Sequence, residues 1–167
     1  PLATLEAALG EAREAGCRTV LNPAPAQALP GTLLALVDLL TPNESEAEHL
    51  TGIAVSDDAS AAAAAEALHR QGVATVLLTR GARGVFLSEG ADGGGQQAFP
   101  AFAVSAVDST AAGDVFNGCL VAALAEGRDL AAAIPFAQAG AALSVQRPGA
   151  QDSVPGRAAI EAFLRAT

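Results

Sequence analysis

The chain is predicted to fold as a doubly wound α/β protein, with a mostly parallel sheet and helices on both faces. Three observations predict it. Short apolar runs alternate with helical patterns through the first half, the order of strand–helix–strand units. The run Val73 to Thr79 is continuously apolar, as a central parallel strand covered on both faces must be. Hydrophobic residues make up 51 % and charged residues 16 % of the 167, enough to bury a core and too apolar for disorder. A single α/β domain over 1–167 is expected.

Taken in order, Leu2, Leu5, Ala8, Leu9 and Ala12 recur at helical spacing, so Leu2 to Ala15 reads as a helix that Gly16 ends. Arg18 to Leu21 is a short strand, and Pro23, Pro25 and Pro30 keep the next segment a loop. A brief helix over Leu33 to Val37 leads to a buried strand, Leu39 to Thr41, which stops at Pro42. Glu44 to Leu50 is helical, and Asp57-Asp58 caps an alanine-rich helix from Ser60 to Arg70 that ends at Gly72. After the strand Val73 to Thr79, a glycine-bearing turn at Gly81 to Gly84 opens the strand Val85 to Ser88. Gly90 to Gln97 is a solvent loop; no helix start follows it, so a phosphate role is not expected. The alternating run Ala101 to Val107 is taken as a last strand, before helices at Asp114 to Ala125, Leu130 to Ser144 and Arg157 to Ala166. Ligands of open α/β sheets bind beyond the carboxyl ends of strands, and Asn22, Asn43, Thr79 and Asp108 each follow a predicted strand.

Composition narrows the function. Eighteen acidic against nine basic residues give a net charge of −9, which disfavours nucleic-acid binding. A nucleotide held here needs backbone amides and a metal ion, because basic side chains are few. No apolar run approaches a membrane span of ~20 residues, and no signal-peptide pattern is present. Cys17 and Cys119 lack metal spacing and read as small buried hydrophobes, fitting a reducing cytoplasm. His49 and His69 read as helix-surface residues.

The segment from Val107 to Gly118 is the most informative. Asp108-Ser109-Thr110-Ala111-Ala112-Gly113-Asp114 fills a strand-to-helix junction with small residues, and a carboxylate stands at each end. Such a junction points unpaired N–H groups at an anion. Asp114 stands where a general base would meet it, although a plain helix cap explains an aspartate here as well. Asn43 and Glu46 lie one turn apart at another helix start, where an ordinary capping box is the favoured reading from the residues alone. The Thr79 to Gly84 turn reads equally as a hairpin, Asn22 as part of a structural Asn-Pro-Ala-Pro loop, and Asp108 as a turn-stabilising aspartate.

The 108–114 motif resembles the D-[ST]-x-G-A-G-D signature of the ribokinase-like (pfkB) sugar and nucleoside kinases, with Ala-Ala-Gly for Gly-Ala-Gly. Leu21 to Ala26, Thr41 to Glu46, Thr79 to Gly84 and Gly149 to Pro155 resemble segments of the ribokinase branch, in the same order. The resemblance implies an ATP-dependent transfer of the γ-phosphoryl group to the 5-hydroxyl of D-ribose. It implies Asp114 as the catalytic base at the sugar, and an anion hole from the amides of Ala111, Ala112, Gly113 and Asp114. Nucleotide contacts carry over to Asn43, Thr79, Arg80, Gly81, Ala82, Arg83, Gly84, Gly113, Asp114 and Gln138; Gln138 stands where the family has His or Asn facing adenine. Glu46 would support Mg²⁺ through water. A K⁺ site would use Asp108, Thr110, Ser144, Arg147, Gly149 and Ser153, with Arg147 and Gly149 acting through carbonyls. A cytoplasmic homodimer is implied for the intact enzyme. The glycine-rich sugar motif and the β lid have no counterpart, so the chain matches the C-terminal part of the family and is expected to be inactive alone. Kinases of fructose, adenosine or 2-deoxyribose, and a non-catalytic nucleotide-binding module, are the alternatives.

Overall fold

The computed structural model describes residues 1–90 and 94–167; residues 91–93 of the solvent loop expected over Gly90 to Gln97 lie outside the described residues, and Gln96 and Gln97 belong to a strand instead of that loop. The chain divides into two compact units: Pro1–Arg80 with Val85–Ala98, and Gly81–Gly84 with Phe99–Thr167.

The first unit runs α1 (Leu2–Glu14), β1 (Val20–Leu21), α2 (Gly31–Leu34), β2 (Leu39–Leu40), α3 (Glu44–Thr51), α4 (Asp58–Arg70), β3 (Thr75–Thr79), β4 (Val85–Glu89) and β5 (Gln96–Phe99). The sheet order is β1-β2-β3-β4-β5. β1, β2 and β3 are parallel, with Val20 opposite Leu39 and Leu40 opposite Val76, while β4 runs antiparallel to β3. The sheet is therefore mixed. The turn at Gly81–Gly84 is too short for the crossover a parallel partner would need, so β4 folds back on β3.

Side chains alternate along these strands. Leu40, Val76, Leu78 and Phe86 join one buried cluster with Leu9, Leu33, Leu34, Ala47, Ala64 and Leu68 from the four helices. Leu39, Leu77 and Leu87 point the other way and are buried too. α4 begins with Asp57, whose carboxylate accepts from the Ser60 amide at 2.8 Å. His69 is no surface residue: Nδ1 bonds the Val73 carbonyl at 2.8 Å, and Nε2 meets buried Ser88 Oγ at 2.9 Å, linking α4 to β4. A carbonyl only accepts, so Nδ1 carries the proton. His49 is exposed, as expected. Cys17 is exposed, not buried, because the turn at Gly16, with φ +73°, leaves it ahead of β1 rather than under the sheet.

The second unit holds α5 (Ala112–Ala125), α6 (Leu130–Ser144) and α7 (Arg157–Ala166), with single 3₁₀ turns at Gly81–Arg83 and Gln151–Ser153. Asp129 caps α6. The helix tolerates Pro135, although proline gives up one backbone hydrogen bond. α5 and α6 approach so closely that a Cβ at Gly140 would lie 2.6 Å from Cys119 Sγ. Burial pushes the Cys119 thiol pKa up, against a smaller downward pull from Arg157.

The strand expected over Ala101 to Val107 does not form. Pro100 has no N–H to offer a sheet, and the Phe99 and Pro100 carbonyls are taken by Gln138. The Phe102 ring packs edge-on against Phe163 of α7, with centroids 5.1 Å apart. The amides of Val107 and Asp108 both donate to the Val145 carbonyl. The apolar alternation therefore serves packing on helices, and Asp108 follows an irregular segment instead of a strand.

Candidate anion-binding and carboxylate site

The second unit assembles its site at the start of α5. Ala111, just before the helix, has φ +58° and ψ 13°, left-handed backbone that a residue with a Cβ rarely adopts. The Ala112 amide turns back to the Ser109 carbonyl at 3.2 Å, and Val115 donates to the Ala111 carbonyl at 2.9 Å. The amides of Ala111, Gly113 and Asp114 have no acceptor among the described residues. The expected four-amide anion hole thus loses Ala112, whose N–H already closes the turn. Asp114 sits in the first turn, exposed, and among the described residues its carboxylate accepts no hydrogen bond. The capping alternative for Asp114 fails, which leaves a solvent-facing carboxylate among free N–H donors. An open cavity of about 390 Å³ adjoins it, lined by Ala111, Asp114, Val115, Gly118, Phe136 and Pro155 among others.

Asp108 ties this turn to the segment after α6. Its Oδ1 accepts from the Thr110 amide at 2.9 Å and the Thr110 hydroxyl at 2.6 Å; its Oδ2 accepts from the Gly149 amide at 2.9 Å. The Thr110 hydroxyl, then the Gly149 and Thr110 amides, bring its pKa down to about 2. Gly149, at φ +94°, adopts backbone that favours glycine. Asp108, Thr110 and Gly149 therefore meet, as the cation assignment requires. The carbonyls of Arg147 and Gly149 accept no hydrogen bond among the described residues. These oxygens and the remaining lone pair of Asp108 fit a monovalent cation in donor chemistry. Ser144 and Ser153 are buried and donate their hydroxyls to the Ala141 and Ala150 carbonyls at 2.9 and 2.8 Å. They support the turns first and could ligate only through lone pairs.

In the first unit, the Asn43–Glu46 pair forms a complete capping box. Asn43 Oδ1 accepts from the Glu46 amide, and Glu46 Oε2 accepts from the Asn43 amide, both at 2.8 Å. Glu46 is buried, with a single carboxylate oxygen left over. That suits indirect, water-carried support of Mg²⁺, which keeps several waters when bound. No group of three or more His, Cys, Asp or Glu side chains converges among the described residues. Thr79 bridges to Asn43, its amide donating to the Pro42 carbonyl at 2.9 Å. Asn22 likewise donates to the Thr41 carbonyl at 2.8 Å, a structural tie between strand ends.

Two expected nucleotide contacts change character. The Arg80 side chain is buried, paired with Asp58 and placed 5.5 Å from the Phe86 ring centroid, so only its backbone can serve a ligand. Gln138 is also buried, and its Nε2 clamps the Phe99 and Pro100 carbonyls at 3.2 and 3.1 Å. Its amide hydrogens are committed to the chain, not to an adenine. The turn Gly81–Gly84 is built for close approach: Gly81 and Gly84 have φ +53° and +85°, and a Cβ on Gly84 would lie 2.0 Å from the Phe99 carbonyl oxygen. Sequence reasoning missed Asn117, whose Nδ2 donates to the Gly113 carbonyl at 2.9 Å. An asparagine inside an apolar helix was the available signal.

The profile of the pfkB family of carbohydrate kinases matches residues 1–157. The chain is 49 % identical over 164 residues to the ribokinase of Haemophilus influenzae, covering 98 % of this chain and 53 % of that protein. A ribokinase of Arabidopsis thaliana, solved in complex with ribose and ATP, superposes with a TM-score of 0.91 at 31 % identity, over 99 % of this chain and 53 % of its own. The ribokinase of Thermotoga maritima matches with a TM-score of 0.82 at 39 % identity, over 95 % of this chain and 52 % of its own. The chain spans about half the length of the curated relatives it matches.

Proposed function

The chain belongs to the pfkB family of carbohydrate kinases, and from that premise we propose that it supplies the nucleotide-binding and catalytic-base part of a ribokinase. The intact enzyme transfers the γ-phosphoryl group of ATP to the 5-hydroxyl of D-ribose. One observation carries the reading: at the start of α5, an exposed carboxylate stands among amides that have no acceptor among the described residues.

Asp114 takes the proton of the sugar hydroxyl as that oxygen bonds to the γ-phosphorus. The bond to the β–γ bridging oxygen breaks, and ADP leaves. A hydroxyl is a weak nucleophile until its proton is removed, so a positioned acceptor accelerates the step. The amides of Gly113 and Asp114, with Ala111, face the negative charge carried by the transferring group, helped by the helix dipole. The backbone of Thr79 to Gly84 and Asn43 are assigned to the nucleotide. Glu46 would support Mg²⁺ through water, and the ion would supply neutralisation of phosphate charge. Asp108 and the carbonyls of Arg147 and Gly149 would hold K⁺, whose charge would help order the turn beside them.

Asp114→Asn in the intact enzyme tests the base. It should lower kcat by at least ~10²-fold, with ATP affinity little changed. A near-normal kcat in the folded variant would end the assignment. For the isolated chain a narrower reading holds, binding of Mg·ATP without ribose phosphorylation, favoured by its match to about half of each relative. Ribose-dependent ADP release from the isolated chain would contradict it.

A further inference from the structure

We infer that Asn117 is a positioning residue that aims the Asp114 amide at the bound anion, an inference resting on the anion-binding reading of the α5 start. Its Nδ2 donates to the Gly113 carbonyl at 2.9 Å. That carbonyl and the Asp114 N–H belong to one planar peptide unit and point in opposite directions. The Gly113 carbonyl lies within α5, so the side-chain bond adds to the helical one in fixing the direction of the N–H. The Asp114 amide is one of those left without an acceptor, so the side chain orients a donor that the fold does not otherwise use.

Two further facts separate this from ordinary helix packing. Between Val115 and Ala125, Asn117 is the single hydrogen-bonding side chain apart from the Cys119 thiol, and asparagine is a poor helix former. Its Oδ1 is also buried with no hydrogen-bond partner among the described residues, a cost that an apolar side chain of the same size would avoid. A residue chosen for stability alone would not be asparagine. The amide orientation is set by the chemistry of its neighbour, because Oδ1 turned toward the Gly113 carbonyl would place two acceptors together.

The test follows individual amides of the chain by ¹H–¹⁵N NMR during titration with inorganic phosphate. In the unsubstituted chain the Gly113 and Asp114 resonances should move together. Asn117→Leu keeps the volume and removes the donor; it should weaken phosphate binding about tenfold and abolish the response at Asp114 selectively. Asn117→Ser should restore it, since a helical serine hydroxyl bonds the carbonyl four residues back. Where the leucine variant does not fold, Asn117→Ala takes its place. An unsubstituted chain whose amides ignore phosphate overturns the anion-binding reading and this inference with it. Phosphate binding that is equal in the unsubstituted and leucine chains overturns only the role of Asn117. Loss in both the leucine and serine variants assigns Asn117 to folding and overturns the positioning role.

Discussion

The starts of α3 and α5 resemble each other in sequence and differ in how they treat their amides. Both follow a polar junction and carry acidic residues in the first turn. At α3, Asn43 and Glu46 exchange hydrogen bonds and close the end from within. At α5, a left-handed Ala111 turns the chain so that Gly113 and Asp114 keep N–H groups with no acceptor among the described residues, beside an exposed carboxylate. A helix end closed by its own side chains contributes stability; one left open forgoes it and is ready for an anion. The contrast makes α5 the better place for chemistry and α3 the better place for anchoring.

The largest stability effects should fall at the closed end. Asn43→Ala and Glu46→Ala should each cost about 1 kcal/mol, read as loss of denaturant midpoint at unchanged slope. Asp114→Asn should stay within about 0.5 kcal/mol of the unsubstituted chain. If Asp114→Asn costs as much as Asn43→Ala, the two ends are alike and the contrast collapses.

A smaller effect should come from Ala111. Relieving φ +58° by Ala111→Gly should stabilise the chain by roughly 0.5 kcal/mol, the left-handed penalty of alanine less the extra chain entropy of glycine. Thermal melting checks the sign, and a destabilised glycine variant would mean that Ala111 carries no strain.

The smallest effect concerns Asp108 and pH. Its pKa lies near 2, against an ordinary 3.8, so its contribution is present above about pH 4 and fades as pH falls toward 2. Asp108→Asn should flatten the stability curve in that window alone. Repeating the melts of the unsubstituted chain in K⁺ and Na⁺ tests the cation reading: identical melting temperatures in the two salts would remove it.

How much of this was legible in the sequence depended on the span of each interaction. Asn43–Glu46 and Asp57–Ser60 close over three residues, so their spacing announced them. The parallel strands β1 to β3 showed through apolar runs, and the small residues from Ser109 to Gly113 marked the start of α5 within two positions. The longer ties were not readable. Gln138 clamps carbonyls 38 and 39 residues away, His69 reaches Ser88 across 19, and Arg80 pairs with Asp58 across 22. Nothing near Ala101 to Val107 shows that its apolar alternation packs on helices instead of a sheet.

What the sequence determined by itself was the list of chemical groups and the helix and strand starts, because capping, turn geometry and side-chain periodicity act within one or two turns of chain. What only the tertiary structure decided was which groups were left over for a ligand. Asp114 emerged uncapped, Arg80 and Gln138 were drawn inside, and Asn117 was found holding the peptide whose N–H faces out. The physical reason is that a polar group's availability depends on every partner within hydrogen-bond reach, and most of those partners arrive from distant parts of the chain.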